Sequence, residues 1–274
     1  MPQGTFYGAG RSLDEGKWLM RVVALVWVCA GVAGCSALPV PGAGNSGGPA
    51  TQAVSVAVHG EGVPLELHWF RNSAERRALY AEVYALAGQS VRAVASGLPA
   101  NSWVVVMDVD ETILDNSEYQ ARLAVSGQGF SQATWDAWVH DKRAVALPGA
   151  ASFAHAVRAD LHGRVALVTN RSLDECPDTE ANLHAQTVEY DVILCAPNGP
   201  DGKPVSDKNP RFALITNGGI QALGSVKVLA YVGDNIQDFP GLSQRNPGDV
   251  GRFGKDFFIL PNPMYGSWVG NVYR

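Results

Sequence analysis

The sequence predicts an α/β fold: a Rossmann-like parallel sheet flanked by helices, with a helical accessory region. Three observations predict it. Apolar runs without helical spacing recur along the chain, beginning with Trp103-Val104-Val105-Val106-Met107, and read as strands buried on both faces. Segments of three- and four-residue period separate them, the alternation that βαβ units leave in a sequence. Polar clusters follow directly on three of the runs, at Asp108, Thr169 and Asp234. A parallel sheet gathers such clusters along its carboxyl edge, where open α/β sheets bind their ligands.

Residues 1–58 lie outside that fold. Arg11, Lys17 and Arg21 precede an apolar run over 22–33 that is too short to span a bilayer, the pattern of a secretory signal, with Met1 and Met20 as alternative starts. The run ends in Val32-Ala33-Gly34-Cys35, similar to a bacterial lipobox, which makes residues 1–35 a lipoprotein signal and Cys35 the lipidated residue. Ser36 and Ala37 follow it, neither of them the aspartate associated with inner-membrane retention. Residues 36–58 hold a Pro-, Gly- and Ser-rich stretch too poor in apolar side chains to fold, so they read as a tether. The expectation is an exported protein anchored to the cell envelope by lipid alone, on an outer membrane if one is present. Its domain would run over 59–274.

Within that domain, residues 59–72 read as a short connection ending in Trp69-Phe70. From Ser73, a plausible N-cap, apolar side chains at 74, 79, 83, 86, 87, 91 and 94 predict a long helix that Gly97-Leu98-Pro99 stops, giving a first accessory segment over 65–97. Tyr80 and Tyr84 on it read as core, and Arg76 as part of its polar face. Residues 116–150 form the second accessory segment, helical and aromatic to Lys142 and closed by Leu147-Pro148-Gly149-Ala150. A short helix over 151–161 leads to the strand Arg164-Val165-Ala166-Leu167-Val168, which would end at Thr169-Asn170-Arg171. A helix over 174–187 is broken early by Pro177, and Tyr190-Asp191-Val192-Ile193-Leu194 reads as the third strand. A polar loop over 198–209 carries Lys208, and a helix over 211–224 is weakened by Asn217-Gly218-Gly219. Val226 to Val232 and Phe257 to Leu260 supply the last strands.

Composition narrows the function. With 46% hydrophobic residues the chain can bury a core, and a net charge of −5 gives no electrostatic reason to expect nucleic acid. Of four cysteines, Cys29 and Cys35 fall in the signal; Cys176 and Cys195 remain in the domain, either as a disulfide or as two buried thiols.

The chemistry resides in four ordered motifs: Asp108-Val109-Asp110-Glu111-Thr112, Thr169-Asn170-Arg171, Lys208 and Gly233-Asp234-Asn235-Ile236-Gln237-Asp238-Phe239. Together they resemble the haloacid dehalogenase (HAD) superfamily. More narrowly the chain is similar to the lipid-anchored class C acid phosphatases of the DDDD type, the lipoprotein e family of 5′-nucleotidases. Trp69-Phe70, the Val145-Ala146-Leu147-Pro148-Gly149-Ala150 stretch and the tail Pro261-Asn262-Pro263-Met264-Tyr265-Gly266-Ser267-Trp268 match as well. The similarity covers residues 65–274 and the lipobox.

A phosphate monoester is a dianion, so a carboxylate nucleophile works on it only if their mutual repulsion is neutralised. Asp108 is the expected nucleophile, forming an aspartyl-phosphate, and Mg²⁺ the expected cation, held by Asp108 and Asp234; the resemblance adds the main-chain carbonyl of Asp110. The Asp110 side chain then serves as general acid and base. Thr169 and the N–H of Asn170, at a strand-to-helix turn, would bind phosphate oxygens with Lys208. Asp238 would orient metal waters from outside the ligand shell, or cap a helix. Tyr119, Trp135, Trp138, Arg171 and Tyr265 are the candidates for substrate contact, the rings by stacking on a nucleobase or arene. Pro210 departs from the expected helix beside Lys208 and threatens to shift the lysine's approach. The expected function is hydrolysis of nucleoside monophosphates and other small phosphate esters. The alternatives are phosphoryl transfer to another acceptor on the same fold, and a surface lipoprotein that binds without turnover. Dehalogenation is disfavoured, because it lacks the second aspartate.

Overall fold

Residues 62–273 are described here, from a computed structural model of the chain. The signal, the lipobox with Cys35, the candidate starts and the whole of the tether lie outside them. No helix among the described residues is long and apolar enough to cross a membrane.

Five parallel strands form the sheet: β1 (Trp103–Met107), β4 (Arg164–Ser172), β5 (Val192–Ala196), β6 (Lys227–Gly233) and β7 (Phe257–Ile259), in the order β5-β4-β1-β6-β7. β1 lies at the centre and every one of its residues is buried. Its side chains alternate between two cores, as the pleat requires. Trp103, Val105 and Met107 pack with Tyr80, Tyr84, Phe153 and Leu183 on one face. Val104 and Val106 pack with Phe212, Ile215, Tyr231 and Phe257 on the other. Gly163, just before β4, lies so close to the Trp103 ring that an added Cβ would overlap it.

The helix α2 (Ala74–Ala95) starts where Ser73 predicts it, with the serine side chain accepting from the Arg76 N–H. Arg76 is not on a solvated face. It is buried, lies 4.7 Å from the Phe70 ring centroid and pairs with Asp115 at 3.1 Å. Residues 65–72 are no simple connection either: they form α1 (Leu65–Asn72), which buries Leu67 and Phe70.

A short antiparallel clasp, β2 (Leu114–Asp115) on β3 (Val145–Ala146), closes the second accessory segment. Between its strands stand α3 (Ser117–Ser126) and α4 (Gln132–Asp141). The helix α5 (Ala150–His155) runs on into one π turn. Pro177 and Pro210 do not break α6 (Cys176–Ala185) and α7 (Asn209–Thr216): each lies in a first turn, where the missing N–H has no helical partner to lose. α7 ends at Thr216, well short of 224, because Asn217 and left-handed Gly218 terminate it. Cys176 and Cys195 form a disulfide, Cα to Cα 6.1 Å, tying the first residue of α6 to β5.

Candidate active site

The carboxyl ends of β1, β4 and β6 open into one pocket of about 770 Å³ that Asp108, Asp110, Asn170, Arg171, Lys208 and Asp234 line. The N–H of Asp108 donates to Val232 at 2.9 Å, so the residue after β1 still belongs to the ladder. The chain then turns sharply: Ile113 and Leu114 both donate to Val109 at 2.8 Å, and Glu111 takes a left-handed φ of 53°. The hydroxyls of Tyr80 and Tyr84, on α2, donate to the main-chain carbonyls of Glu111 and Thr112, so the two tyrosines hold this turn as well as fill the core.

Carboxylate oxygens of Asp108, Asp234 and Asp238 lie within 4.8 Å of one another. Lys208 reaches in from the residue before α7 and bonds Asp108, and Asp238 at 2.6 Å, so Pro210 leaves the lysine's approach intact. Burial pushes the Asp108 carboxyl up to about 7, with Lys208 opposing and Asp238 and Asp110 adding to the rise. Asp234 is raised by burial and by Asp238 and Asp108. Burial would lower Lys208, but Asp108 and Asp238 more than offset it and hold the ammonium charged. One lysine therefore faces three buried or half-buried carboxylates, a site with an excess of negative charge and hard oxygen donors.

Asp238 has two duties in the structure. One oxygen accepts from Lys208 and the other from the Asn235 N–H at 2.8 Å, closing a capping box on the turn after β6. A Cβ on Gly233 would collide with it. Asn262, from the tail after β7, donates to Asp234 at 2.8 Å.

Thr169 and Asn170 are not at a strand-to-helix turn. β4 continues through them to Ser172, while its pairing with β5 is interrupted between Val168 and Ser172. The carbonyl of Thr169 and the side chain of Asn170 accept from Arg211, the latter at 2.7 Å, which fixes the segment from α7. Asn170 lines the pocket; Thr169 is buried, its hydroxyl accepting from the Arg171 N–H at 3.1 Å and lying 3.5 Å from Asp110.

The substrate-contact candidates divide. Trp135 and Tyr265 line the pocket, and Phe130, which sequence reasoning did not single out, stands with them and is 64% exposed. Tyr119 and Trp138 do not line it. Tyr119 packs edge-on to Trp135 and Phe130 and shares a hydrogen bond with Thr134. Trp138 is buried with its indole N–H on Asn116 at 2.8 Å. Arg171 borders the pocket, but its guanidinium is spent on Asp110 at 2.8 and 2.9 Å. Asn116 was invisible as a site residue because nothing in its local sequence marks it; only the fold brings it to Asp110, at 2.9 Å.

The sequence profile of the HAD superfamily, subfamily IIIB (acid phosphatase), matches residues 59–268. Among solved structures, the class C acid phosphatase from Bacillus anthracis is similar at 28% identity and a TM-score of 0.64, over 75% of this chain and 86% of that one. The tungstate-bound form of the Bacillus anthracis enzyme is similar over the same shares, with a TM-score of 0.65.

Proposed function

The chain belongs to the HAD superfamily, subfamily IIIB, the acid phosphatases, and is a phosphoric monoester hydrolase; from that premise we propose a Mg²⁺-dependent enzyme that cleaves nucleoside monophosphates and other small phosphate esters through an aspartyl-phosphate on Asp108. The observation that carries the proposal is the convergence of Asp108, Asp110, Lys208 and Asp234 on one pocket walled by Phe130, Trp135 and Tyr265.

HAD phosphatases use a divalent metal, and the donor set here suits Mg²⁺: Asp108 and Asp234, with the carbonyl of Asp110 as the resemblance implies and Asp238 close by, offer only oxygen. Bound there, the cation would neutralise the ester's negative charge against the nucleophile. An oxygen of Asp108 attacks phosphorus in line as the P–O bond to the leaving group breaks. Asp110 delivers its proton to the departing oxygen. In the second step Asp110 takes a proton from water as that water's oxygen bonds phosphorus and the bond to Asp108 breaks. Lys208 lies against Asp108 to meet the charge developing on the phosphoryl oxygens, with the N–H of Asn170 as a donor, while Thr169 turns its hydroxyl to Asp110. The tungstate bound to the Bacillus anthracis enzyme is a tetrahedral oxyanion like phosphate, which supports an oxyanion site in this fold.

Trp135, Phe130 and Tyr265 offer flat faces to a nucleobase; stacking of this kind is worth about 1–3 kcal/mol per base. We place the activity outside the cytoplasmic membrane, on a lipid anchor at Cys35, on the strength of the amino-terminal sequence alone.

The test is phosphate release by the purified full chain from a nucleoside 5′-monophosphate and from p-nitrophenyl phosphate, with Mg²⁺, with EDTA and as Asp108→Asn. Metal-dependent turnover that disappears in the variant is expected. Turnover that survives Asp108→Asn overturns the nucleophile. Equal loss on both esters in Trp135→Ala overturns selection by stacking.

A further inference from the structure

All the donors at close range to Asp110 converge on one of its two oxygens. Oδ1 accepts from Arg171 Nε at 2.9 Å, Arg171 Nη2 at 2.8 Å and Asn116 Nδ2 at 2.9 Å. Oδ2 has only the Thr169 hydroxyl, at 3.5 Å. The carboxyl lies on the pocket wall with 19% of its side chain exposed. From this asymmetry we infer that Arg171 and Asn116 are positioning residues for the hydrolysis: by filling Oδ1 they leave Oδ2 as the oxygen that gives up the proton and takes it back.

The clamp is itself fixed by buried groups. Arg171 is 1% exposed, and its Nη1 donates to the Thr179 hydroxyl on α6 at 3.2 Å. That hydroxyl donates in turn to the Glu175 carbonyl at 2.8 Å, so its oxygen can only receive the arginine. Asn116 is fully buried, and its Oδ1 accepts from Trp138 Nε1 at 2.8 Å and Arg171 Nη2 at 3.1 Å. Two donors on that oxygen oblige Nδ2 to face Asp110. The helices α4 and α6, from the accessory segment and from the sheet domain, thus each supply one support for the same carboxylate. When the Oδ2 proton moves to the leaving oxygen and the P–O bond breaks, the charge left on Asp110 meets three donors already in place, with no reorganisation. When water attacks, its proton returns to the same oxygen.

The inference rests on the reading of Asp110 as acid and base, and the experiment separates the two. Protonation matters for a poor leaving group such as an alkyl alcohol and hardly at all for p-nitrophenolate. kcat/KM reports the steps through loss of the leaving group, so it is measured for both esters in Asp110→Asn, Arg171→Gln, Arg171→Lys and Trp138→Phe. Arg171→Gln is expected to lose about 10²-fold on the alkyl ester, at the low end of what general acid catalysis supplies, and under ~10-fold on p-nitrophenyl phosphate. Arg171→Lys, with the charge but no fork, should recover part of the alkyl rate. Combined with Asp110→Asn, Arg171→Gln should cost nothing more. Equal losses on both esters in Asp110→Asn overturn the acid role itself. A selective loss in Asp110→Asn beside equal losses in Arg171→Gln overturns only the positioning role. Should Arg171→Gln not fold, Trp138→Phe, which removes the buried N–H together with part of the indole ring, carries the same test: a smaller loss confined to the alkyl ester supports the clamp, and equal or absent losses overturn it.

Discussion

Replacing Tyr80 by phenylalanine is expected to loosen the turn that carries Asp110, although Tyr80 stands on an accessory helix and touches neither aspartate's carboxyl. Its hydroxyl is the donor to the Glu111 carbonyl, in a place where Tyr80, Glu111 and Thr112 are each 0% exposed. Deleting the hydroxyl keeps the ring and its edge-on contact with Phe70, centroids 6.2 Å apart, so no cavity of consequence forms. What remains is a buried carbonyl without that donor, a loss of about 1–3 kcal/mol. For a domain of this size about 2 kcal/mol lowers the melting temperature by roughly 4–8 °C. Tyr84→Phe removes the 2.7 Å bond to the next carbonyl, that of Thr112, and should cost a similar amount. Urea unfolding of the two variants measures the loss, with Tyr273→Phe, 98% exposed, as the control expected to stay within about 0.5 kcal/mol of the parent. kcat/KM on p-nitrophenyl phosphate should fall in both core variants and not in the control. A Tyr80→Phe protein as stable as the control would refute the tether. One that is destabilised with unchanged kcat/KM would refute its link to the aspartates.

Three further outcomes are expected. Mg²⁺ should raise the unfolding free energy by about 2.7 kcal/mol at a hundredfold excess over its dissociation constant, and Asp234→Asn should abolish that gain without reference to turnover. Breaking the Cys176–Cys195 bridge, as the double alanine variant, opens a loop with a sequence separation of 19 and should cost about 3 kcal/mol, read from urea midpoints with and without reductant. The Glu175 carboxyl is raised by burial and by neighbouring Asp136, so at pH values between its ordinary and its raised pKa the folded chain holds a proton that the unfolded chain does not, and stability falls as pH rises through that window. Glu175→Gln should therefore be more stable than the parent at about pH 8 and equal to it below about pH 4; a variant less stable at the higher pH would contradict the assignment.

Periodicity made the central strand, the long helix and the order of the motifs legible, because each rests on local pattern: five apolar residues before Asp108, a serine before the apolar stripe of α2. It failed where partners are distant. α1 has too few residues to show a period, and Trp69-Phe70 resembled a connection. α7 stopped at Thr216 because a left-handed glycine two residues on outweighs the apolar residues beyond it. Whether an aromatic forms a wall or a core cannot be read from its neighbours in sequence: Trp135 and Trp138 are three apart on α4, yet only Trp135 reaches the pocket, while Trp138 orients Asn116. Arg171 has the charge of a substrate ligand, but burial beside Asp110 turns it inward. The disulfide needed β5 to lie beside β4, which is a matter of topology and not of spacing.

The clasp of β2 on β3 has a consequence for how such chains diversify. Leu114 pairs with Ala146 and Asp115 with Val145, and the Leu147 N–H returns to Ile113 at 2.8 Å, so the segment between leaves the fold and rejoins it at nearly one point. Closing a longer or shorter excursion at a fixed gate costs little, since each doubling of length adds only about 0.6 kcal/mol. The gate makes that stretch a cartridge: Phe130 and Trp135 can be exchanged, lengthened or lost without moving the strand ends that hold Asp108 and Asp234. Relatives that differ between 117 and 144 but keep Asn116 and Trp138, the supports of Asp110, would hydrolyse by one route and answer to different esters.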